Sequence, residues 1–247
     1  MTNSEQTSVL ITGGNKGLGF ETARRLGEQG WTIFLGSRDE ERGRAAAAKL
    51  ADGGANVVMV PLDVTSDESV ADAVRLVRKH TDRLDVLINN AGAPGRAVPP
   101  ADATAGELHS VYDTNVYGPV RVTHAFLPLL QAADNPRVVM VSSGGGSFAV
   151  VTDPDQPVSK MHELAYSSSK AALNMITVRY AQALPQIKFN VITPGEVANR
   201  KFTATDMNHH TGQLTVTEGT DPIVKLAMID ADGPTGIFID RLGPVAW

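Results

Sequence analysis

Seven short, nearly continuous apolar runs, each separated from the next by a longer amphipathic stretch, constrain this chain more than any other feature. Residues 8–12 (SVLIT), 31–37 (WTIFLGS), 56–61, 84–89, 137–143, 187–193 and 235–240 read as strands. A strand that is apolar on both sides must be covered on both sides, which points to a parallel sheet flanked by helices. Helical periodicity fills the gaps, from the first glycine turn to about residue 30 and at about 39–51, 66–82, 105–132, 164–184 and 216–229. Right-handed crossovers between such units give a doubly wound, Rossmann-type α/β sheet of about seven strands. No linker or internal repeat interrupts the alternation, so residues 1–247 are expected to form a single domain.

Bulk composition removes several functions from consideration. Hydrophobic residues make up 42% of the chain and the formal charge is -5, which argues against a nucleic-acid or anionic-membrane surface. The absence of cysteine excludes a disulfide framework, a thiolate nucleophile and a Cys-ligated metal. The polar start, MTNSEQ, carries no apolar core of a signal peptide, and no run approaches membrane-span length. A cytoplasmic protein is expected. His209 and His210, adjacent in a loop, read as loop residues rather than a metal site.

Chemistry concentrates where strands end. At 12–19 (TGGNKGLG) the first strand gives way to a helix through a turn. There Gly13, Gly17 and Gly19 let the backbone approach a pyrophosphate at a helix N-terminus, with Asn15, Lys16 and Leu18 between them. At the end of the second strand, where an acidic residue would select a ribose 2′-hydroxyl, the chain has Ser37 and Arg38. Arg38 offers a planar grip on a 2′-phosphate, Lys16 adds a second positive charge, and Asp39 falls at a helix cap. NADP(H) is therefore the expected nucleotide. Asp63 and Val64 follow the third strand and suit the adenine; Asn90, Ala91 and Gly92 follow the fourth and suit ribose.

Tyr166 and Lys170 are four residues apart at the start of a helix, hence on one face, where an ammonium would lower the phenol's pKa toward working pH. Ser143, at the end of the fifth strand, is placed to orient a carbonyl and stabilise a developing alkoxide. Ser142 should point to the other side of that strand. Asn115, in the expected long helix after the fourth strand, could hold a water that relays protons to Lys170. Two long loops, 144–163 and 195–215, follow strands at the ligand-binding end and are candidate substrate loops.

Taken together, TGGNKGLG, NNAG, Asn115, VSS, YSSSK and the Pro194-Gly195 pair resemble the short-chain dehydrogenase/reductase family over nearly the whole chain, and its NADPH-linked carbonyl reductases in particular. The resemblance implies Asn115, Ser143, Tyr166 and Lys170 as a catalytic tetrad. It also implies that Lys170 grips the nicotinamide ribose and Tyr166 protonates the alkoxide formed by hydride transfer. A small-molecule carbonyl substrate follows, apolar or aromatic from Phe148, Phe202 and Met207, with Val197 in the pocket and Trp247 as a further wall or a packing residue. Alternatives are alcohol oxidation with NADP, or a non-catalytic NADP(H)-binding sensor or scaffold. A hydrolase triad of Ser143, His162 and an acid lacks its nucleophile elbow.

Two departures from the family pattern stand out. Ser143 and Tyr166 are 23 residues apart, a longer spacing than usual. It resembles the insertion that covers a dimerisation helix in monomeric carbonyl reductases, so monomer and homodimer both remain open. The threonine that meets the nicotinamide carboxamide in the family is read as Thr205 rather than Asn199, with EVANRK as a local insertion in a mobile or unusually shaped loop.

Overall fold

The computed structural model describes residues 6–247. Seven strands form one sheet: β1 (Ser8–Ile11), β2 (Thr32–Ser37), β3 (Asn56–Pro61), β4 (Val86–Asn89), β5 (Arg137–Val141), β6 (Lys188–Ile192) and β7 (Phe238–Ile239). Their order is β3-β2-β1-β4-β5-β6-β7 and every pairing is parallel. Alternating side chains feed two separate cores. Leu10, Phe34, Leu87 and Val138 face one way, Val9, Ile11, Ile33 and Ile88 the other, and all are fully buried. Helices α1 (Gly17–Gly27) and α2 (Glu40–Asp52) cover the second face with α8 (Val216–Ala227). Helices α3 (Asp67–Val77), α5 (Gly118–Gln131) and α7 (Leu164–Ala183) cover the first.

Strand order reverses between β1 and β4. In open α/β sheets the crevice outside the strand carboxyl ends at such a reversal is where ligands bind.

The helix expected over 105–132 is broken. Its first part is α4 (Ala105–Tyr112), a π-helical turn spans Asp113–Tyr117, and α5 continues from Gly118. Pro119 lies four residues after Asn115 and has no N–H to return to the Asn115 carbonyl, so a regular α-helical bond cannot form there. The break falls at one of the candidate catalytic residues.

Both long loops are structured. Segment 144–163 contains short 3-10 turns at Gly144–Gly146 and Pro157–Lys160 and a one-turn helix α6 (Phe148–Val151). The C-terminal tail holds it: Ser147 Oγ donates to the Ala246 carbonyl at 2.8 Å, and the Ala149 amide to that of Trp247 at 3.0 Å. The Trp247 ring packs on Phe238 at 5.4 Å and does not line the cleft. Phe148 is 73% exposed and likewise turns away from the cleft. The segment gathers around the first turns of α7; farther along, Met175 stays exposed.

The EVANRK insertion is a tight hairpin. Glu196 and Lys201 exchange backbone hydrogen bonds of 2.9 and 3.0 Å, and Arg200 takes a left-handed conformation. Its base is fixed because buried Glu196 accepts from Arg241 at 2.6 Å and from Asn199 at 2.7 Å. The Val197 amide donates to Asp240 at 2.9 Å.

Gly146 sets how closely α7 approaches the end of β5. A Cβ there would lie 2.6 Å from the Lys170 carbonyl carbon and 2.9 Å from the Ala171 amide nitrogen, both backbone atoms. Gly146→Ala should therefore lower the unfolding free energy by roughly 1–3 kcal/mol. Gly144→Ala, whose Cβ would meet only Val197 and Val150 side chains at 3.6 and 3.7 Å, should cost much less. Urea denaturation of the two variants checks this; equal losses would contradict it.

Candidate active site

A cleft of about 1160 Å³ runs along the carboxyl ends of the strands. At one end lies the glycine loop. Gly13 and Gly17 have φ of 64° and 54°, a conformation that L side chains rarely adopt, and their bare backbone faces the cleft with Asn15, Lys16 and Leu18. Asn90 pins this loop: its Nδ2 donates to the carbonyls of Thr12 at 2.9 Å and Gly13 at 3.1 Å. The Asn90 and Ala91 amides both donate to Thr12 Oγ1 at 3.0 Å. Asn90, Ala91 and Gly92 line the cleft. Gly19 does not; it sits beneath the loop, where a Cβ would lie 2.5 Å from the Gly13 carbonyl oxygen. Its bare Cα lets the loop pack this closely.

At the end of β2 the two expected residues face different ways. Ser37 is buried, donates its hydroxyl to the Asp39 carbonyl at 2.7 Å, and does not reach the cleft. Arg38 does line it, joined by Arg42, which the sequence reading did not single out. Asp39 caps α2 by accepting from the Arg42 amide at 3.0 Å, and its carboxylate holds the Arg42 guanidinium at 3.3 Å. Lys16, expected as the second phosphate cation, is bound instead by Asp206, so the glycine loop is joined to the 195–215 loop. Asp63 and Val64 line the wall between; Asp63 Oδ1 accepts from the Thr65 amide and hydroxyl at 3.0 and 2.7 Å.

The catalytic candidates meet at the centre. Lys170 is buried, donates to the Val141 carbonyl at 2.9 Å, and lies 5.6 Å from the centroid of the Tyr166 ring. Ser143 accepts from the Gly145 amide at 3.1 Å and hydrogen-bonds Tyr166. Ser142 points away, donating to Asn174 at 2.6 Å, as strand alternation requires. Asn115 does not line the cleft. Its side chain is a strut: Oδ1 accepts from the Ala93 amide at 2.7 Å, and Nδ2 donates to the Ala93 carbonyl at 2.9 Å and to Ser169 at 3.0 Å.

Electrostatics here run against the sequence expectation. Burial pushes the Tyr166 phenol up to about 12, and the hydrogen bond with Ser143 offsets only part of this. Burial also pushes the Lys170 ammonium down to about 8. Desolvation is the largest cause for both groups, and the ammonium 5.6 Å from the ring centroid does not lower the phenol.

At the far end, Pro194, Gly195, Val197, Phe202, Thr205 and Met207 line the cleft, whereas Asn199 does not. Of the two residues expected for the carboxamide position, Thr205 faces the cleft and Asn199 does not; Thr203 lines it too. Glu163 and Arg200 also line this end and were not anticipated; neither belongs to a strand-end motif. No group of three or more His, Asp or Glu side chains that could hold a metal occurs among the described residues. No described helix is long and apolar enough to cross a membrane.

The lowered pKa of Lys170 has a stability consequence. Below about pH 8 the ammonium is charged in folded and unfolded chains alike, at a constant cost on the order of 3 kcal/mol. Between 8 and 10.5 the unfolded chain holds a proton that the folded chain has released, so stability rises with pH. Lys170→Met should therefore stabilise the ligand-free protein at neutral pH by about 1–3 kcal/mol, with the gain shrinking above pH 8. Denaturant melts of both proteins across that range check it; a Met variant destabilised at every pH would contradict it.

The short chain dehydrogenase family model matches residues 7–212. Among relatives, (-)-isopiperitenone reductase of Mentha piperita is 32% identical, with 96% of each chain covered. The (+)-neomenthol dehydrogenase of Capsicum annuum is 30% identical over 94% of this chain and 95% of its own. A solved NADPH-bound carbonyl reductase from chicken fatty liver has 29% identity and a TM-score of 0.85, covering 98% of this chain and 99% of that one. With its strand-end motifs gathered along one cleft, this chain belongs to the short-chain dehydrogenase/reductase family of oxidoreductases.

Proposed function

We propose that the protein reduces a ketone or aldehyde to an alcohol with NADPH, Tyr166 donating the proton. The observation that carries this reading is a single cleft with Arg38 and Arg42 at one end and Tyr166, Ser143 and Lys170 at its centre. The nucleotide fits the residues present. Gly13 and Gly17 leave a bare cradle for a pyrophosphate, and the two arginines suit a 2′-phosphate better than a ribose hydroxyl. Arg38 forms no ion pair among the described residues. The NADPH of the chicken carbonyl reductase supports the same choice.

When bound, NADPH supplies the hydride; the chain supplies orientation and the proton. Ser143 spends its acceptor on the Gly145 amide, which leaves its hydroxyl proton for Tyr166 or a substrate carbonyl. Tyr166, held protonated by burial, is an acid ready to transfer its proton to a developing alkoxide. With NADPH bound, Lys170 would be the residue that holds the hydroxyls of the nicotinamide ribose. Asn115 positions this machinery by locking Ala93 to Ser169. The relative named as a dehydrogenase favours reversibility, with direction set by the cofactor ratio.

Tyr166→Phe should cut turnover by about 10²–10⁴-fold while leaving NADPH affinity nearly unchanged; unchanged turnover on a reducible ketone contradicts the mechanism. Arg38→Ala should weaken NADPH by about tenfold to a hundredfold and NADH far less, since a charged hydrogen bond is worth about 1.5–3 kcal/mol. Fluorescence titration with both nucleotides reads this, and equal losses would show that Arg38 does not meet the 2′-phosphate.

A further inference from the structure

We propose that Asn174 is a positioning residue for the reaction: it brackets the turn that carries Ser143 and so holds the Ser143 hydroxyl against Tyr166. This role presupposes the reductase reading above and adds a residue that touches neither substrate nor nucleotide.

Ser143 stands at the start of a turn with little stiffness of its own. Gly144, Gly145 and Gly146 follow it directly, and glycine restricts the backbone less than any other residue. Within the turn the Gly145 amide donates to Ser143 Oγ at 3.1 Å and the Gly146 amide to the Ser143 carbonyl at 2.9 Å. The hydroxyl therefore goes where the glycines go. Restraint comes from outside the turn. Thr193 accepts from the Gly144 amide at 3.1 Å, and Asn174 holds both ends. Its Oδ1 accepts from the Ser142 hydroxyl at 2.6 Å, just before Ser143, and its Nδ2 donates to the Gly146 carbonyl at 3.0 Å, where the glycines end.

Asn174 reaches this turn because of its place on α7. Tyr166, Lys170 and Asn174 follow one another at intervals of four and share one side of the helix. Each meets a different point at the end of β5: Tyr166 the Ser143 side chain, Lys170 the Val141 carbonyl, Asn174 the Ser142 hydroxyl. Asn174 is buried and does not line the cleft, so it acts through Ser143 and not on a ligand. An apolar side chain would also pack α7 against β5, at less desolvation cost but without direction. A buried amide satisfied at both ends fixes orientation, which is what a hydroxyl aimed at a phenol requires. That aim matters to Tyr166, because the Ser143 hydrogen bond is what draws the phenol down against the upward push of burial.

The test is Asn174→Leu, alone and combined with Ser143→Ala. In the nucleotide-free protein, hydrogen exchange of the Gly145 amide, followed by NMR with nitrogen-labelled glycine, should be about tenfold faster than in wild type. With NADPH and either 4-methylcyclohexanone or acetophenone, kcat should fall about tenfold to a hundredfold while the Kd of NADPH stays within about twofold. In the Ser143→Ala background the same substitution should change kcat by less than about twofold, because the hydroxyl it positions is gone. An unchanged Gly145 amide, or an equal loss of kcat in both backgrounds, overturns the inference. If Asn174→Leu does not fold, Ser142→Ala removes the strand side of the bracket and carries the same comparison. A loosened Gly145 amide in a protein whose wild type reduces neither ketone supports the bracket and counts against the reductase reading, so the two fail separately.

Discussion

The buried Lys170 ammonium, held by the Val141 carbonyl at 2.9 Å, is the interaction on which the active site depends. It ties the first turns of α7 to the end of β5, and the rest of that junction is arranged to permit it. Gly146 has no side chain to keep the helix away, and Ser142 and Asn174 bond to one another behind the strand. Asn174 also donates to the Gly146 carbonyl at 3.0 Å. The result places Tyr166 beside Ser143 at the cost of desolvating both an amine and a phenol. Such a cost is the usual mark of a site shaped for chemistry rather than for stability.

Parallel pairing does the remaining positioning. All seven strands deliver their following loops to one rim, so residues from 13 to 207 meet along one cleft. Within that rim the glycine loop is not left free. Thr12 and Asn90 fasten it across β1 and β4, at the point where strand order reverses. The same economy appears in the 195–215 loop, whose inserted hairpin is clamped at its base by buried Glu196 and Arg241. Lys16 and Asp206 then join the two loops at the surface, a pair too exposed to contribute much energy.

Local chemistry made most of this legible in the sequence. Unbroken apolar strands announced the parallel sheet, and the glycines after the first strand announced a turn at which Gly13 and Gly17 take positive φ. The four-residue spacing of Tyr166 and Lys170 placed them together. What spacing could not show was burial. It did not reveal that Ser37 and Gly19 sit under the surface, nor that burial would push the Tyr166 phenol up and the Lys170 ammonium down. The π-turn at Asn115 was signalled by Pro119, four residues on, but a long apolar periodicity masked it. Arg42 could have been found as the residue one turn after Arg38.

The central claim is that this cleft joins NADPH to a carbonyl. The most direct measurement is to mix the protein with NADPH or NADH, follow nicotinamide fluorescence, and then record loss of the nicotinamide absorbance as aromatic and alicyclic ketones are added. The account predicts tight binding of NADPH, weak binding of NADH, and ketone-dependent oxidation of NADPH. Binding of neither nucleotide, or tight NADPH binding with no oxidation by any ketone, would contradict it.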